Sequence, residues 1–104
     1  MSKLIIIRGN SGSGKTTIAK RLRCELGYGT MLVSQDVIRR DILRVKDEPG
    51  NPSVQLIKDT AVHGLSLDFD VIVEGILHRD KYGQMLRELV LLFDEVYIYY
   101  FDVR

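Results

Sequence analysis

The chain has one cysteine and no long apolar run, and its charges nearly cancel. A single cysteine, Cys24, excludes an internal disulfide, and no apolar stretch approaches the roughly 20 residues that a membrane-spanning helix needs. The 15 basic and 14 acidic residues leave a net charge of +1, so the composition disfavours nucleic acid as a partner. The N-terminus leads into an apolar segment without a secretion signal. We therefore expect a cytoplasmic protein with no membrane partner, in which residues 1–104 form one domain or part of one.

A glycine-rich stretch organises the chain. Residues 9–16, GNSGSGKT, fit the phosphate-binding pattern G-x-x-x-x-G-K-[ST], between an apolar run and a helical pattern. Glycines let backbone N–H groups turn toward one anion, and the helix start adds positive charge. Lys15 can reach the β- and γ-phosphates of ATP, and the Thr16 hydroxyl can bind Mg²⁺. The alternative is a flexible Gly/Ser turn. We expect the nucleotide to contact Asn10, Ser11, Gly12, Ser13, Gly14, Lys15, Thr16 and Thr17.

The apolar patterning alternates between strands and helices. It predicts buried strands at 3–8, 30–34, 71–75 and 96–101, and helices at 14–26, 37–45, 51–67 and 79–93. Asn51 is expected to cap the third helix. The inward positions of the first and last helices are expected to be Ile18, Ala19, Leu22, Leu26, Tyr82, Leu86, Leu89 and Phe93. This order predicts an α/β fold with a parallel sheet covered on both faces.

Each predicted strand ends at a glycine of the loop or at an acidic residue. These residues are Gly9 of the loop and three acids, Asp36, Glu74 and Asp102. In open parallel sheets, ligands bind at the carboxyl ends of the strands. Three carboxylates and the phosphate loop would therefore share one edge, which predicts a catalytic cleft.

The segment after the second strand has D-x-x-R spacing. Asp36 and Arg39 would project to one side of a helix start. The Asp36 carboxylate could accept a proton from an attacking hydroxyl, and the Arg39 guanidinium could hold substrate or phosphoryl charge. A capping aspartate with a solvent-facing arginine is the alternative.

The region around the third strand supplies further candidates. Glu74 could act on the Mg²⁺ water shell or hold the acceptor, or it could hydrogen-bond the phosphate loop. His78, Arg79 and Tyr82 could line an acceptor pocket; a solvated helix start with one core tyrosine is the favoured alternative.

Residues 90–95, VLLFDE, offer a competing interpretation. They resemble the apolar run plus Asp-Glu with which large ATPases bind Mg²⁺ and position water, and would make the protein an ATPase switch. This requires a strand at 90–93. The run instead continues the helical stripe from Tyr82, and a new strand begins at Val96, so we favour a helix.

The motifs GNSGSGKTT, SQDVIRRD, DVIVEGIL and VYIYYFDVR together resemble the small P-loop kinases, including zeta-toxin-like, polynucleotide-kinase-like and AAA-type kinases of bacteria. The resemblance implies a three-layer P-loop fold with strand order 2-3-1-4, and transfer of the ATP γ-phosphoryl group to a hydroxyl. By position, Lys15 and Thr16 match the phosphate and Mg²⁺ residues, Asp36 the catalytic base, Arg39 the substrate-side arginine, and Glu74 the acid ending the third strand.

Such kinases continue past the fourth strand into an arginine-bearing lid and a fifth strand. We therefore expect residues 1–104 to be the N-terminal part of a longer kinase domain. The expected partners are a nucleotide and a small-molecule acceptor with a free hydroxyl. A polynucleotide 5′-hydroxyl kinase and a nucleotide-dependent switch are the alternatives.

Overall fold

The structure, a computed structural model, describes residues 2–10 and 14–101. Four parallel strands form one sheet in the order β2-β3-β1-β4. In chain order the elements are β1 (Lys3–Gly9), α1 (Lys15–Leu26), β2 (Thr30–Ser34), a π-helical segment (Val37–Leu43), α2 (Ser53–Ser66), β3 (Asp70–Gly75), α3 (Arg79–Val90) and β4 (Glu95–Phe101). The expected strand order and α/β class are confirmed.

The central strand β1 shows why the sheet is covered on both faces. Successive strand residues point to opposite faces, and its apolar run contributes to two separate cores. Leu4 and Ile6 pack with residues of α2 and α3. Ile5 and Ile7 pack with Ala19 of α1. The result is a three-layer arrangement with α1 on one face and α2 and α3 on the other.

Helix α2 was predicted to begin at residue 51 and begins at Ser53. The side-chain oxygen of Asn51 accepts a hydrogen bond from the Ser53 N–H at 2.9 Å, which satisfies a backbone donor at the helix start. Gly64 permits close packing of this helix on the sheet. A Cβ at that position would lie 2.8 Å from Val71 Cγ2 and 3.0 Å from Met31 Sδ.

Two helical predictions need correction. The segment predicted as an α-helix at 37–45 is a π-helix that ends at Leu43, followed by Arg44 with a φ of 55°. On α1, Ala19 is buried, but Ile18 and Leu26 are 40% and 37% exposed. The Ile18 and Leu26 side chains lie on a part of the α1 surface that no described element covers.

The ATPase-like interpretation of residues 90–95 is also wrong. Helix α3 continues to Val90, and Glu95 opens β4 opposite Lys3, the first residue of β1. The acids at 94 and 95 thus lie at the amino edge of the sheet. The phosphate loop follows the other end of β1.

Candidate phosphotransfer site

The carboxyl ends of β1, β2 and β3 meet at one edge of the sheet because these strands are parallel and in register. Gly9 ends β1 and has no room for a side chain, since an added Cβ would lie 2.0 Å from the Phe101 carbonyl oxygen. Gly14, immediately before α1, has a φ of 81°, which favours glycine. Ser11, Gly12 and Ser13 lie outside the described residues, as does Asp102.

Lys15 is the first residue of α1 and is 8% exposed. Its Nζ donates a hydrogen bond to the Asn10 carbonyl oxygen at 3.1 Å, so the side chain reaches back to the residue that follows β1. An ammonium group buried at this point is strongly favoured by a nearby anion. The geometry therefore suits a phosphate at the mouth of the loop.

Thr16 and Glu74 connect the start of α1 to the end of β3. The Thr16 hydroxyl donates to Glu74 Oε1 at 2.9 Å, with Oε2 at 3.4 Å, and the Glu74 side chain is 1% exposed. This is the hydrogen bond that the second interpretation of Glu74 predicts. Direct ligation of metal by Glu74 stays a prediction.

Burial raises the pKa of Glu74 above its ordinary value. The Thr16 hydrogen bond, the charge of Lys15 and a hydrogen bond from Ser34 act in the opposite direction, whereas the negative charge of Asp36 raises the pKa further. The carboxylate is thus held in a site where added positive charge would stabilise its ionised form.

Oxygen donors of this kind fit Mg²⁺. Within residues 2–10 and 14–101, no group of three His, Cys, Asp or Glu side chains could hold a metal by itself. Mg²⁺ typically takes one or two protein oxygens and completes its shell with water and phosphate oxygens. Thr16, with Glu74 behind it, fits that limited protein contribution.

Asp36 and Arg39 lie side by side, as their spacing predicts. Arg39 Nη2 is 3.7 Å from Asp36 Oδ1, and the two side chains are 14% and 53% exposed. Arg39 Nη1 also donates to the Val45 carbonyl oxygen at 3.1 Å. The carboxylate is open to an incoming hydroxyl, and the guanidinium is held against the protein.

A buried glutamine beside this pair was missed by the sequence interpretation. Gln35 is 1% exposed and lies within hydrogen-bond distance of Asp36, Arg39 and Tyr82. Gln35 lies two residues after Val33, which packs in the core shared with α2 and α3, but Gln35 is outside β2 and no local pattern marks it as buried.

A hollow of about 490 Å³ opens beside the Thr16 end of the site. Its walls include Thr16, Ser34 and Val37, and Leu56 and Thr60 of α2. This volume lies in the range of roughly 300–1,000 Å³ that small-molecule sites occupy.

Arg79 lies in a different place. With Asn10, Tyr100 and exposed His78 it lines a hollow of about 290 Å³ that neither Asp36 nor Arg39 reaches. Tyr82 is fully buried, as the core-tyrosine alternative predicts. The structure thus brings Arg79 to the phosphate-loop side but not to the D-x-x-R pair.

Among the helices in the described part of the chain, none has the length and apolar character to cross a membrane.

Comparison with known proteins agrees with this geometry. A family model described as an AAA domain, AAA_33, matches residues 4–91. No curated protein sequence matches the chain.

Similar solved structures share the fold. A chain of the Pnkp1/Rnl/Hen1 complex is 21% identical with a TM-score of 0.70, covering 99% of this chain and 36% of that chain. A chain of the Pnkp1/Rnl/Hen1 RNA repair complex is 19% identical with a TM-score of 0.72, covering 99% and 34%. The Mycobacterium tuberculosis APS kinase CysC Cys556Ala mutant is 17% identical with a TM-score of 0.67, covering 98% and 76%. The chain thus spans about a third of the length of the two chains from the repair complex.

Proposed function

The chain belongs to the AAA_33 family of AAA domains and is P-loop kinase-like, and from this we propose that it transfers the γ-phosphoryl group of ATP to a hydroxyl of a small-molecule acceptor. The observation that carries the proposal is the placement of two functional pairs on one sheet edge. Thr16 and Glu74 meet where α1 begins, and Asp36 and Arg39 follow the adjacent end of β2.

The nucleotide side of the site rests on the start of α1. We assign the phosphates to the loop backbone, Lys15, Thr16 and Thr17, together with the helix N-terminus. Mg²⁺ would be held by Thr16, with Glu74 acting on Thr16 and on the metal's water shell. When bound, Mg²⁺ neutralises charge on the phosphate oxygens.

The acceptor side rests on Asp36 and Arg39. Asp36 accepts the proton that leaves the acceptor hydroxyl as the hydroxyl oxygen bonds to the γ-phosphorus. The bond between that phosphorus and the β,γ-bridging oxygen breaks, and ADP leaves. Arg39 holds the acceptor or the charge on the transferred group. Arg79 is assigned a second, more distant contact to the acceptor or to the outer phosphates. Phosphoryl transfer depends mainly on such positioning and electrostatics.

The hollow beside Thr16 supports a small acceptor. Its lining does not include Asp36 or Arg39 but includes Val37 and Ile38, which lie between them in the chain. The hollow combines polar groups, such as Ser34 and Thr60, with apolar walls from Val37 and Leu56. A compact hydroxyl compound with an apolar part fits this lining.

A polynucleotide 5′-hydroxyl is the second candidate acceptor. The fold similarity to chains from an RNA repair complex favours it, while the net charge of +1 does not. Binding that weakens steeply with salt would support this acceptor, since phosphate contacts release counterions.

A transfer assay with γ-labelled ATP tests the proposal. Labelled product should form with pooled hydroxyl metabolites, and not with oligonucleotides ending in a 5′-hydroxyl. Transfer to the oligonucleotides alone would favour the second candidate. ATP consumption that gives only free phosphate, at one rate with and without acceptors, would overturn both and indicate a nucleotide-dependent switch.

A further inference from the structure

Gln35 occupies a buried position between β2 and the D-x-x-R pair, and the end of β3 is shaped around it. A Cβ on Gly75 would lie 2.6 Å from Gln35 Cβ, and Gly75 has a φ of +151°. An alanine at 75 would therefore collide with Gln35 and adopt a conformation that L residues rarely take. Gly75 thus makes room for a side chain at position 35, and the glutamine amide itself is held by polar contacts.

The amide of Gln35 bridges Asp36 and Arg39. We assign its oxygen and nitrogen from the hydrogen-bond network. The nitrogen then donates to Asp36 Oδ1 at 3.2 Å, and the oxygen accepts from Arg39 Nε at 3.3 Å. The direct separation of Arg39 Nη2 and Asp36 Oδ1 is 3.7 Å, longer than a hydrogen bond. The closer connection between the two side chains thus passes through Gln35.

Arg39 is fixed at two points by these contacts. Its Nε donates to Gln35, and its Nη1 donates to the Val45 carbonyl oxygen at 3.1 Å. A planar guanidinium held at two nitrogens cannot rotate freely. Its remaining nitrogen, Nη2, is presented on the side of Asp36.

Gln35 is in turn anchored to α3. The hydroxyl of buried Tyr82 lies 3.0 Å from the Gln35 amide oxygen and 2.8 Å from Asp47 Oδ1, and its single proton can serve either acceptor. Asp47 also pairs with Lys81 at 3.4 Å. The two acceptors compete for the Tyr82 proton, and the contact joins Gln35 to a residue of α3 that is fully buried.

We infer that Gln35 is a positioning residue that holds the Asp36 carboxylate and the Arg39 guanidinium in a fixed mutual orientation, with Tyr82 as its anchor. The inference rests on the proposed roles of Asp36 and Arg39. Gln35 is buried and acts through these two side chains, not by contact with the acceptor. It therefore sets the rate of transfer and leaves nucleotide affinity unchanged.

The test replaces the amide with an apolar side chain of similar length. The signal of the Arg39 Nε–H is assigned by its loss in Arg39→Lys. In Gln35→Met this proton should exchange with solvent at least about tenfold faster, because its hydrogen bond to the Gln35 amide oxygen is lost. The turnover number kcat should fall about tenfold, with the ATP Kd within about twofold of wild type. Gln55→Met is the matched control, since Gln55 lies exposed on α2 and bonds only Asp59 among the described residues.

Two further variants keep the test decisive if Gln35→Met fails to fold. Gln35→Glu retains the acceptor for Arg39 and should keep the slow Nε–H exchange, while losing the donor to Asp36. Tyr82→Phe keeps the ring and should speed the exchange by a smaller factor than Gln35→Met.

Unchanged Nε–H exchange in Gln35→Met, or in Tyr82→Phe where only that variant folds, would overturn the inference. An absence of transfer by the wild-type protein would instead contradict the proposed function, and the exchange measurement would still decide the role of Gln35.

Discussion

The Thr16 hydroxyl donates its proton to Glu74 Oε1 at 2.9 Å, from the first turn of α1 to the buried end of β3. A hydroxyl has one proton and two lone pairs. With the proton directed to Glu74, the lone pairs are free to meet a cation on the loop side. In the proposed site, the buried acid would therefore prepare Thr16 as a metal ligand without needing to touch the metal.

Thr16→Ala is expected to raise the Mg²⁺ concentration needed for ATP binding by about tenfold, because a ligand oxygen is lost. It also removes one of the two hydroxyl donors of the buried Glu74 carboxylate, and loss of such a hydrogen bond typically costs about 1–3 kcal/mol of stability. Titration of ATP at several Mg²⁺ concentrations measures the first effect, and urea unfolding measures the second.

Thr16→Ser is the control for this substitution, since it keeps the hydroxyl and removes only a methyl group. It should behave like wild type in both measurements. Equal Mg²⁺ requirements in the alanine and serine variants would show that the hydroxyl is not a ligand.

Glu74 gives a prediction for the pH dependence of folding. Burial raises the pKa of Glu74 in the folded state, so between its ordinary value of 4.5 and the folded value the folded protein binds more protons than the unfolded chain. The contribution of this group to stability is fully present below pH 4.5, declines as the pH rises through that window, and is constant above it. The stability of Glu74→Gln relative to wild type should therefore increase with pH from about 4.5 upward.

Glu88 is a control whose pKa shift has the opposite sign to that of Glu74. Its hydrogen bond and ion pair with Lys58 lower the pKa of Glu88, so its contribution is present above the ordinary value and is lost as the pH falls. Glu88→Gln should therefore lose stability relative to wild type as the pH rises. A flat difference between Glu74→Gln and wild type from pH 4 to 7 would contradict the raised pKa.

Asp36→Asn should leave ATP affinity unchanged and reduce phosphoryl transfer by about 10²–10⁴-fold, the usual contribution of a general base. The asparagine keeps the shape and loses the ability to accept a proton. Binding and initial rates should be measured on the same preparation. Transfer at the wild-type rate would remove Asp36 from the mechanism.

Asp36→Asn should also change the pKa of Glu74. The negative charge of Asp36 raises the pKa of Glu74, so Asp36→Asn should lower the pKa of Glu74. A carboxyl carbon NMR titration of selectively labelled protein would detect the change. An unchanged Glu74 titration would mean that the two acids do not interact through space.

The backbone architecture was predictable because strong local patterns coincide with the tertiary arrangement. The isoleucine run of β1, the cap at Asn51 and the inward position of Leu89 each agree with what they pack against. Exposure of Ile18 was not predictable from α1 alone, because it depends on whether another element covers that face.

At the site, contacts between residues close in the chain could be predicted from their spacing, and contacts between residues far apart in the chain could not. The D-x-x-R spacing placed Asp36 beside Arg39. The burial of Gln35 against Gly75 and Tyr82 depends on residues about 40 positions away, which no local pattern specifies. The π-helical hydrogen bonding of Val37–Leu43 was not predictable either, since its apolar pattern also fits an α-helix.

Calorimetric titration of ATP with Mg²⁺ into wild type and Lys15→Ala tests the central claim most directly. Lys15 Nζ donates to the Asn10 carbonyl oxygen, and loss of its proposed charged contacts with the phosphates should weaken binding by about 10–100-fold. Lys58→Ala, which removes a surface ammonium paired with Glu88, should bind as wild type does. Saturable binding that disappears or weakens to this degree only in Lys15→Ala is the predicted result. No binding by the wild type, or equal affinity in both lysine variants, would contradict it.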